Sequence, residues 1–492
     1  MFKKSITPEE AGISSKRILD FFKRYDSYNS GTHSIIMAKG DNIFTECYYA
    51  PFNKDFKHRM YSVSKSFVGV AVGLCAEEGL ISLDDKMISY FKEYIDEDKA
   101  DPKLKEQTIR DMLTMSTAVE ESIYWFTSGT QDRTAEYFRF DVSRIPGTTY
   151  RYDSPGSYIL GVIVEKVTGK PFLEYLKEKI FCETDFSKDA YCLKCPGGYS
   201  WADSAVICTS RDLLIFARFV MNKGVIDGKR YMNSEFLEAA TSKLVDNDYM
   251  CVGDNYNAHG YGYQIWKTYD DGFAFIGMGD QLAICHPKTD FIFIINADNQ
   301  GFTGRVILLH EIFHHIIPYL GEPMKNNEEA YKELTEYTST RKLCHLKGAK
   351  KSEFQNKING KTYILEDNPM KIEYMHFDFE GDKGILSYKN EQGEKKLYFG
   401  MGYNEFSKFP QEGYSDMIGT FAAEGNMYDC ACSAAWTEPE KLKIKVQIID
   451  KYMANLCITL GFKDDGVGIA MVPCAEAFLR EYSGFANGYL KK

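Results

Sequence analysis

The chain holds 492 residues, with 59 basic and 70 acidic side chains and a formal net charge of -11. At roughly 150 residues per domain this length makes two or three units, each able to bury a core; the acidic balance argues against nucleic acid, whose phosphates need a basic surface. No run of about 18 apolar residues is present, so no membrane-spanning helix and no membrane partner is expected. The stretch Met1 to Ser30 is polar and charged rather than the apolar core of a secretory leader, which makes the cytoplasm the expected location. Thirteen cysteines form an odd, scattered set, read as buried small hydrophobes in a reducing compartment. One close pair, Cys192 and Cys195, has metal-ligand or redox spacing, but no second pair stands at zinc-site distance.

In chain order, Ile18, Phe21, Phe22 and Tyr25 recur at helical spacing and predict a helix over 15–25. Two alternating runs, 34–38 and 43–49, flank the turn Lys39-Gly40-Asp41-Asn42 as a hairpin. A long helix is expected from near Ser62 through Phe67, Val70, Ala71, Leu74 and Cys75 to Gly79. The following stretch, 83–199, reads as mostly helical, with 109–115 and 158–168 as its plainest helices. Three consecutive strands, 273–276, 281–285 and 291–295, then precede an apolar helix over 306–317. Strand-rich ends around a helical middle predict one α/β (α+β) unit, 1–322, whose sheet is drawn from both ends of that segment. The charged stretch 323–354 reads as a linker or connecting helix, and the alternating runs beyond Lys361, such as Leu442 to Ile449, predict an antiparallel all-β barrel or sandwich over 355–492.

The informative segment is Tyr61-Ser62-Val63-Ser64-Lys65-Ser66-Phe67 at the mouth of the long helix. Three apart on a helix, Ser62 and Lys65 share a face. A neutral lysine there could take the proton of a serine too weakly acidic to attack a carbonyl unaided. That requires burial and nearby positive charge, because a lysine ordinarily titrates near 10.4. The Ser62 backbone N–H at a helix start is also a donor for a developing oxyanion. Read alone, the pattern equally describes an N-cap serine followed by a solvated lysine. Ser89 with Lys92 and Ser339 with Lys342 spell it too, but neither opens a long apolar helix.

Beyond this motif the chain resembles the serine β-lactamase-related family, which embraces class C β-lactamases, D-peptidases and related esterases and amide hydrolases. The resemblance covers about Pro8 to Tyr319 and includes Glu9-Glu10-Ala11-Gly12-Ile13-Ser14, Glu78-Gly79-Leu80-Ile81-Ser82-Leu83-Asp84-Asp85, the helix from Thr108 to Met115, Thr209-Ser210-Arg211-Asp212-Leu213 and Tyr261-Gly262-Tyr263. It implies an antiparallel sheet flanked by helices, with a helical subdomain. The family's tyrosine motif corresponds to Tyr152-Asp153-Ser154, registered by Gly156 and Gly161, so that Tyr152 rather than Tyr150 takes the tyrosine position and Ser154 replaces the usual Asn. A tyrosine close to a lysine is expected to lose or relay its proton more easily than a free phenol. The third element, Lys-Thr-Gly or His-x-Gly in the family, corresponds to Gly277-Met278-Gly279-Asp280-Gln281 and carries no cation. Its glycines allow close backbone approach, so Gly279, Asp280 and Gln281 are the expected oxyanion and substrate contacts together with Ser62 and Ser154.

The resemblance implies a serine hydrolase cleaving a small ester or amide through an acyl-enzyme on Ser62, with Lys65 as base, Tyr152 as proton donor and neither metal nor cofactor. A β-lactamase or D-amino-acid peptidase or amidase is the alternative, weakened by the missing cation. Two readings of other classes stand beside it. A ligand sensor would be acylated without turnover. A zinc peptidase would use His310-Glu311-Ile312-Phe313-His314, whose histidines share a helical face.

Overall fold

Ser14 caps the first helix by accepting from the Arg17 amide, and α1 (Ser15–Ser27) buries the stripe Ile18, Leu19, Phe21, Phe22 and Tyr25. The chain then forms a hairpin, β1 (Thr32–Lys39) and β2 (Asn42–Tyr48), and a short strand, β3 (Lys57–Arg59). Helix α2 (Ser64–Glu77) is buried continuously from Ser64 to Cys75. A helical region follows with α3 (Ile109–Leu113), α4 (Arg133–Tyr137) and α5 (Ser154–Thr168), the last ended by Gly169 at φ 69°. Next come β4 (Val206–Thr209), which pairs with β3, and α6 (Ser210–Met221), opened by a Thr209/Asp212 capping box. The strands β5 (Trp266–Lys267), β6 (Phe273–Gly277), β7 (Gln281–His286) and β8 (Phe291–Ala297) lead to α7 (Gly304–His310), which continues as a wider, π-type coil over Glu311–Ile316.

The central sheet runs β2, β1, β8, β7, β6, β5, with the two residues Lys4–Ser5 added in parallel along β2 and every other pair antiparallel. Both chain ends of this unit therefore meet at the β1–β8 pair, as the α/β reading expects. One face packs on α1, where Phe21 meets Phe293, and the other on α6, where Phe216 meets Phe275 at 5.0 Å between ring centres. Two covered faces explain why β7 and β8 read as unbroken apolar runs instead of alternating.

The structure is a computed structural model describing residues 2, 4–120, 132–248, 256, 258–300, 304–476 and 478–492. The chain divides into two units, Met1–Lys342 with Met417–Gly419, and Leu343–Asp416 with Thr420–Lys492. The stretch expected as a linker or connecting helix contains α8 (Glu328–Ser339), which belongs to the first unit: Leu334 enters its core, and Tyr337 and Arg341 bond Asp26 of α1. Its charged composition hides a single apolar stripe.

The second unit is a barrel of β9 (Lys361–Leu365), β10 (Tyr374–Glu380), β11 (Lys383–Asn390), β12 (Gly393–Met401), β13 (Asp429–Glu438), β14 (Lys441–Ile449), β15 (Met453–Lys463), β16 (Gly466–Cys474) and β17 (Gly484–Leu490). These nine strands run β12, β11, β10, β9, β17, β16, β15, β14, β13 and close by parallel pairing of β12 with β13. Alternation along each strand sends Phe377, Leu386, Phe399, Ile444, Val446 and Leu456 inside. No helix among the described residues is long and apolar enough to cross a membrane.

Candidate active site

From β3 the chain passes Tyr61, whose φ of 46° lies in the left-handed region that a bulky residue rarely adopts, makes one tight turn over Tyr61–Val63 and enters α2 at Ser64. Ser62 thus sits in the turn just before the α-helix, not in its first residue. Arg59 lies over the Tyr61 ring at 4.3 Å and holds this bend from below. Lys65 Nζ is 3.0 Å from Ser62 Oγ and donates to the Asp203 carbonyl oxygen at 2.8 Å. The lysine is 1% exposed.

Tyr152 comes from the residue ahead of the α5 cap. Asp153 caps that helix, accepting from the Gly156 amide and from Thr117 Oγ1, and this fixes Tyr152 beside α2. Its ring stacks on Trp266, and Lys65 Nζ lies 5.1 Å from the ring centre. Tyr150 instead packs in the aromatic cluster with Tyr261 and Trp266. Burial holds the Tyr152 phenol well above its ordinary value, with Asp203 adding to the rise and the Ser62 hydrogen bond and Arg305 opposing it. This runs against the expectation that the tyrosine loses its proton easily: burial outweighs the opposing effects of Ser62 and Arg305. Ser154 is buried at the first position of α5.

Gly279, Asp280 and Gln281 form the tight turn between β6 and β7, with Gly279 and Asp280 both at positive φ. A Cβ on Gly277 would meet the Met60 carbonyl oxygen at 2.4 Å, so only glycine lets this hairpin press against the segment carrying Ser62. The Gln281 side chain is committed inward, donating to the Met278 and Ala297 carbonyls and accepting from Asn296. Asp280 accepts from Arg305 Nε at 2.8 Å and from Asn299, and Arg305 also donates to the Gly277 carbonyl at 2.9 Å. The cation absent from the turn's own sequence therefore arrives from α7, already paired with a carboxylate.

Sequence reasoning missed four further groups. Asp203 is 6% exposed and stands with Oδ2 3.9 Å from Lys65 Nζ. Arg59 and Arg133, both buried, lie on the Trp201 ring at 4.3 Å each; burial pushes the Asp203 carboxyl up, and Lys65, Arg133 and Arg59 oppose that rise. They place two positive charges beside Asp203. Gln264 ties the walls together: its side chain donates to the Met112 and Leu113 carbonyls and accepts from Ser157, while its carbonyl accepts from Ser66. The only sequence trace of these groups is polarity inside apolar surroundings, as with Asp203 between Ala202 and Ala205.

The other motifs do not assemble. Glu311 turns inward to a bidentate pair with Arg24, while His310 and His314 face outward and share the Tyr256 hydroxyl at 3.3 and 3.1 Å. Among the described residues no group of three or more His, Cys, Asp or Glu side chains could hold a metal. Cys192 reaches the Trp201 carbonyl and Cys195 accepts from Arg133, and burial pushes both thiols up, Cys195 to about 12.

The chain is similar to several known proteins. The 6-aminohexanoate-dimer hydrolase of Paenarthrobacter ureafaciens is 25% identical over 293 residues, 54% of this chain and 71% of that protein. A solved Bacillus anthracis structure named for the same activity superimposes with a TM-score of 0.53 at 18% identity, covering 64% of this chain and 86% of that one. The D-amino acid amidase of Ochrobactrum anthropi follows at a TM-score of 0.46 and 16% identity, over 61% and 97% of the two chains. The profile of the family described as Beta-lactamase matches residues 29–309, more than half of the chain, and the chain belongs to that family.

Proposed function

We propose that the chain is a serine hydrolase that cleaves a small ester or amide through an acyl-enzyme on Ser62. The observation that carries this reading is the buried Lys65 amine 3.0 Å from the Ser62 hydroxyl oxygen, with the centre of the Tyr152 ring 5.1 Å from the same amine. Neutral Lys65 takes the Ser62 proton as Oγ bonds to the substrate carbonyl carbon. N–H groups of Ser62 and of the Gly279–Gln281 turn receive the developing oxyanion. Tyr152, kept protonated by burial, gives its proton to the leaving nitrogen or oxygen as that bond breaks, and the Lys65 ammonium restores it. Water, deprotonated by the same lysine, then attacks the acyl carbon, and Ser62 leaves with a proton.

The relative named as a 6-aminohexanoate-dimer hydrolase favours an amide as the natural scissile bond. Arg305, the cation beside the turn, is paired with Asp280, which favours a neutral acyl group over a β-lactam or peptide terminus. The test is fluorophosphonate labelling, followed by p-nitrophenyl ester, lactam and D-amino-acid amide panels. Label on Ser62 and loss of at least about 10³-fold in turnover with Ser62→Ala are expected. Full hydrolysis retained by Ser62→Ala overturns the proposal, and a burst without steady state converts it to a sensor.

A further inference from the structure

The Asp203 loop is held from both sides. Gly161 of α5 lets Ala202 approach so closely that a Cβ there would meet the Ala202 Cβ at 2.3 Å. On the other side Arg59 donates to both the Ser204 carbonyl and the Ser204 hydroxyl at 2.9 Å. The carboxylate between these anchors has one oxygen 3.9 Å from Lys65 and another, Oδ1, with no hydrogen-bond partner among the described residues. An unsatisfied buried carboxylate oxygen is costly to fold around, so a role for its charge is the economical explanation. No step of the acylation or deacylation above uses that charge.

Resting on the serine-hydrolase reading, we infer that Asp203 is a positioning residue that sets the pH at which Lys65 works, by providing the counter-charge for the lysine ammonium while it holds the Ser62 proton. The groups facing Asp203 are Lys65 from α2, Arg59 from β3, Arg133 from α4, Tyr152 ahead of α5, and Cys192 and Cys195 from the neighbouring strand and loop. Arg59 and Arg133 stay charged at any pH the fold survives. The lysine amine therefore stands beside one negative charge, which favours the ammonium, and that carboxylate is also drawn on by two arginines. The backbone bond from Lys65 to the Asp203 carbonyl orients the amine whatever the side chain is, so position and charge can be separated by substitution.

Asp203→Asn removes the negative charge at nearly constant volume. The acid limb of the kcat/KM–pH profile for a p-nitrophenyl ester is expected to move down by about 1 pH unit, because the free lysine then persists at lower pH. Arg133→Gln removes a positive charge from the other side of Asp203 and is expected to move the same limb up. Circular dichroism establishes that each variant is folded; if Asp203→Asn is not, the direction of the Arg133→Gln shift decides. A purely structural Asp203 would lower stability or the plateau rate and leave both limbs in place, and that result overturns the inference. Wild-type turnover that survives Ser62→Ala would instead overturn the hydrolase reading itself, and the role of Asp203 with it.

Discussion

Ser62, Lys65, Tyr152 and Asp203 come from different parts of the chain and turn toward one another, whereas His310, Glu311 and His314 are neighbours in sequence and the glutamate turns away from the two histidines. Helical spacing puts residues on one face only while the helix stays α-helical. After α7 the coil widens over Glu311–Ile316, and the glutamate rotates into the core while both histidines remain at the surface. The Ser62 segment differs in what surrounds it: the β6–β7 hairpin closes on it through Gly277, and α5 closes on the Asp203 loop through Gly161, each a glycine too tight for any side chain. A catalytic spelling becomes a site when other segments bring it partners.

The largest effect that would sharpen this contrast is at Tyr152. Tyr152→Phe keeps the ring against Trp266 and removes the hydroxyl. The expected loss in kcat/KM is about 10²–10³-fold for an amide and smaller for a p-nitrophenyl ester, whose leaving group needs no proton. Equal rates for variant and wild type on both substrates would reduce Tyr152 to a packing residue like Tyr150.

The readable parts of this molecule are those whose cause is local. Ser62 and Lys65 are three residues apart, and Tyr152 is registered by Gly156 and Gly161, two glycines with visible reasons: one clears the Asp153 cap, the other clears Ala202. The barrel strands announce themselves because one face is wet and the other dry, and the central strands because neither is wet. Asp203, Arg59, Arg133 and Arg305 were illegible because each gains its meaning from a contact more than twenty residues away. The polar run at 323–354 misled for the opposite reason, since a single leucine and its aromatic neighbour suffice to dock α8.

Strand β3 holds the same contrast in adjacent residues, with Arg59 bonded to Ser204 while His58 packs among His33, Phe52 and Phe56. Neither His58 ring nitrogen has a hydrogen-bond partner among the described residues, and burial pushes the imidazole down to about 3. The unfolded chain takes up this proton near pH 6.5 and the folded chain resists it, so the contribution is complete above pH 6.5 and drains as pH falls toward 3. The slope is about 1.4 kcal/mol per pH unit within that window. His58→Phe should therefore flatten the acid decline of the melting temperature and leave Ser62-dependent turnover in place. Parallel melting curves for the two proteins would show that His58 does not set acid stability.

The smallest expected effect tests the motif that came apart. Glu311→Gln weakens the pair with Arg24, which joins the coil after α7 to α1; because the arginine is 42% exposed, solvent screens the loss to about 1 kcal/mol. Turnover is expected to be unchanged, and unchanged again in His310→Ala with His314→Ala and after treatment with a chelator. The two readings of the segment then separate on one pair of measurements. A structural Glu311 lowers the melting temperature by a few degrees and spares the rate, while a water-activating Glu311 spares the melting temperature and abolishes the rate together with chelation. The geometry requires the first outcome, since a carboxylate locked into a guanidinium on the buried side of its helix cannot also face a water molecule between two outward imidazoles.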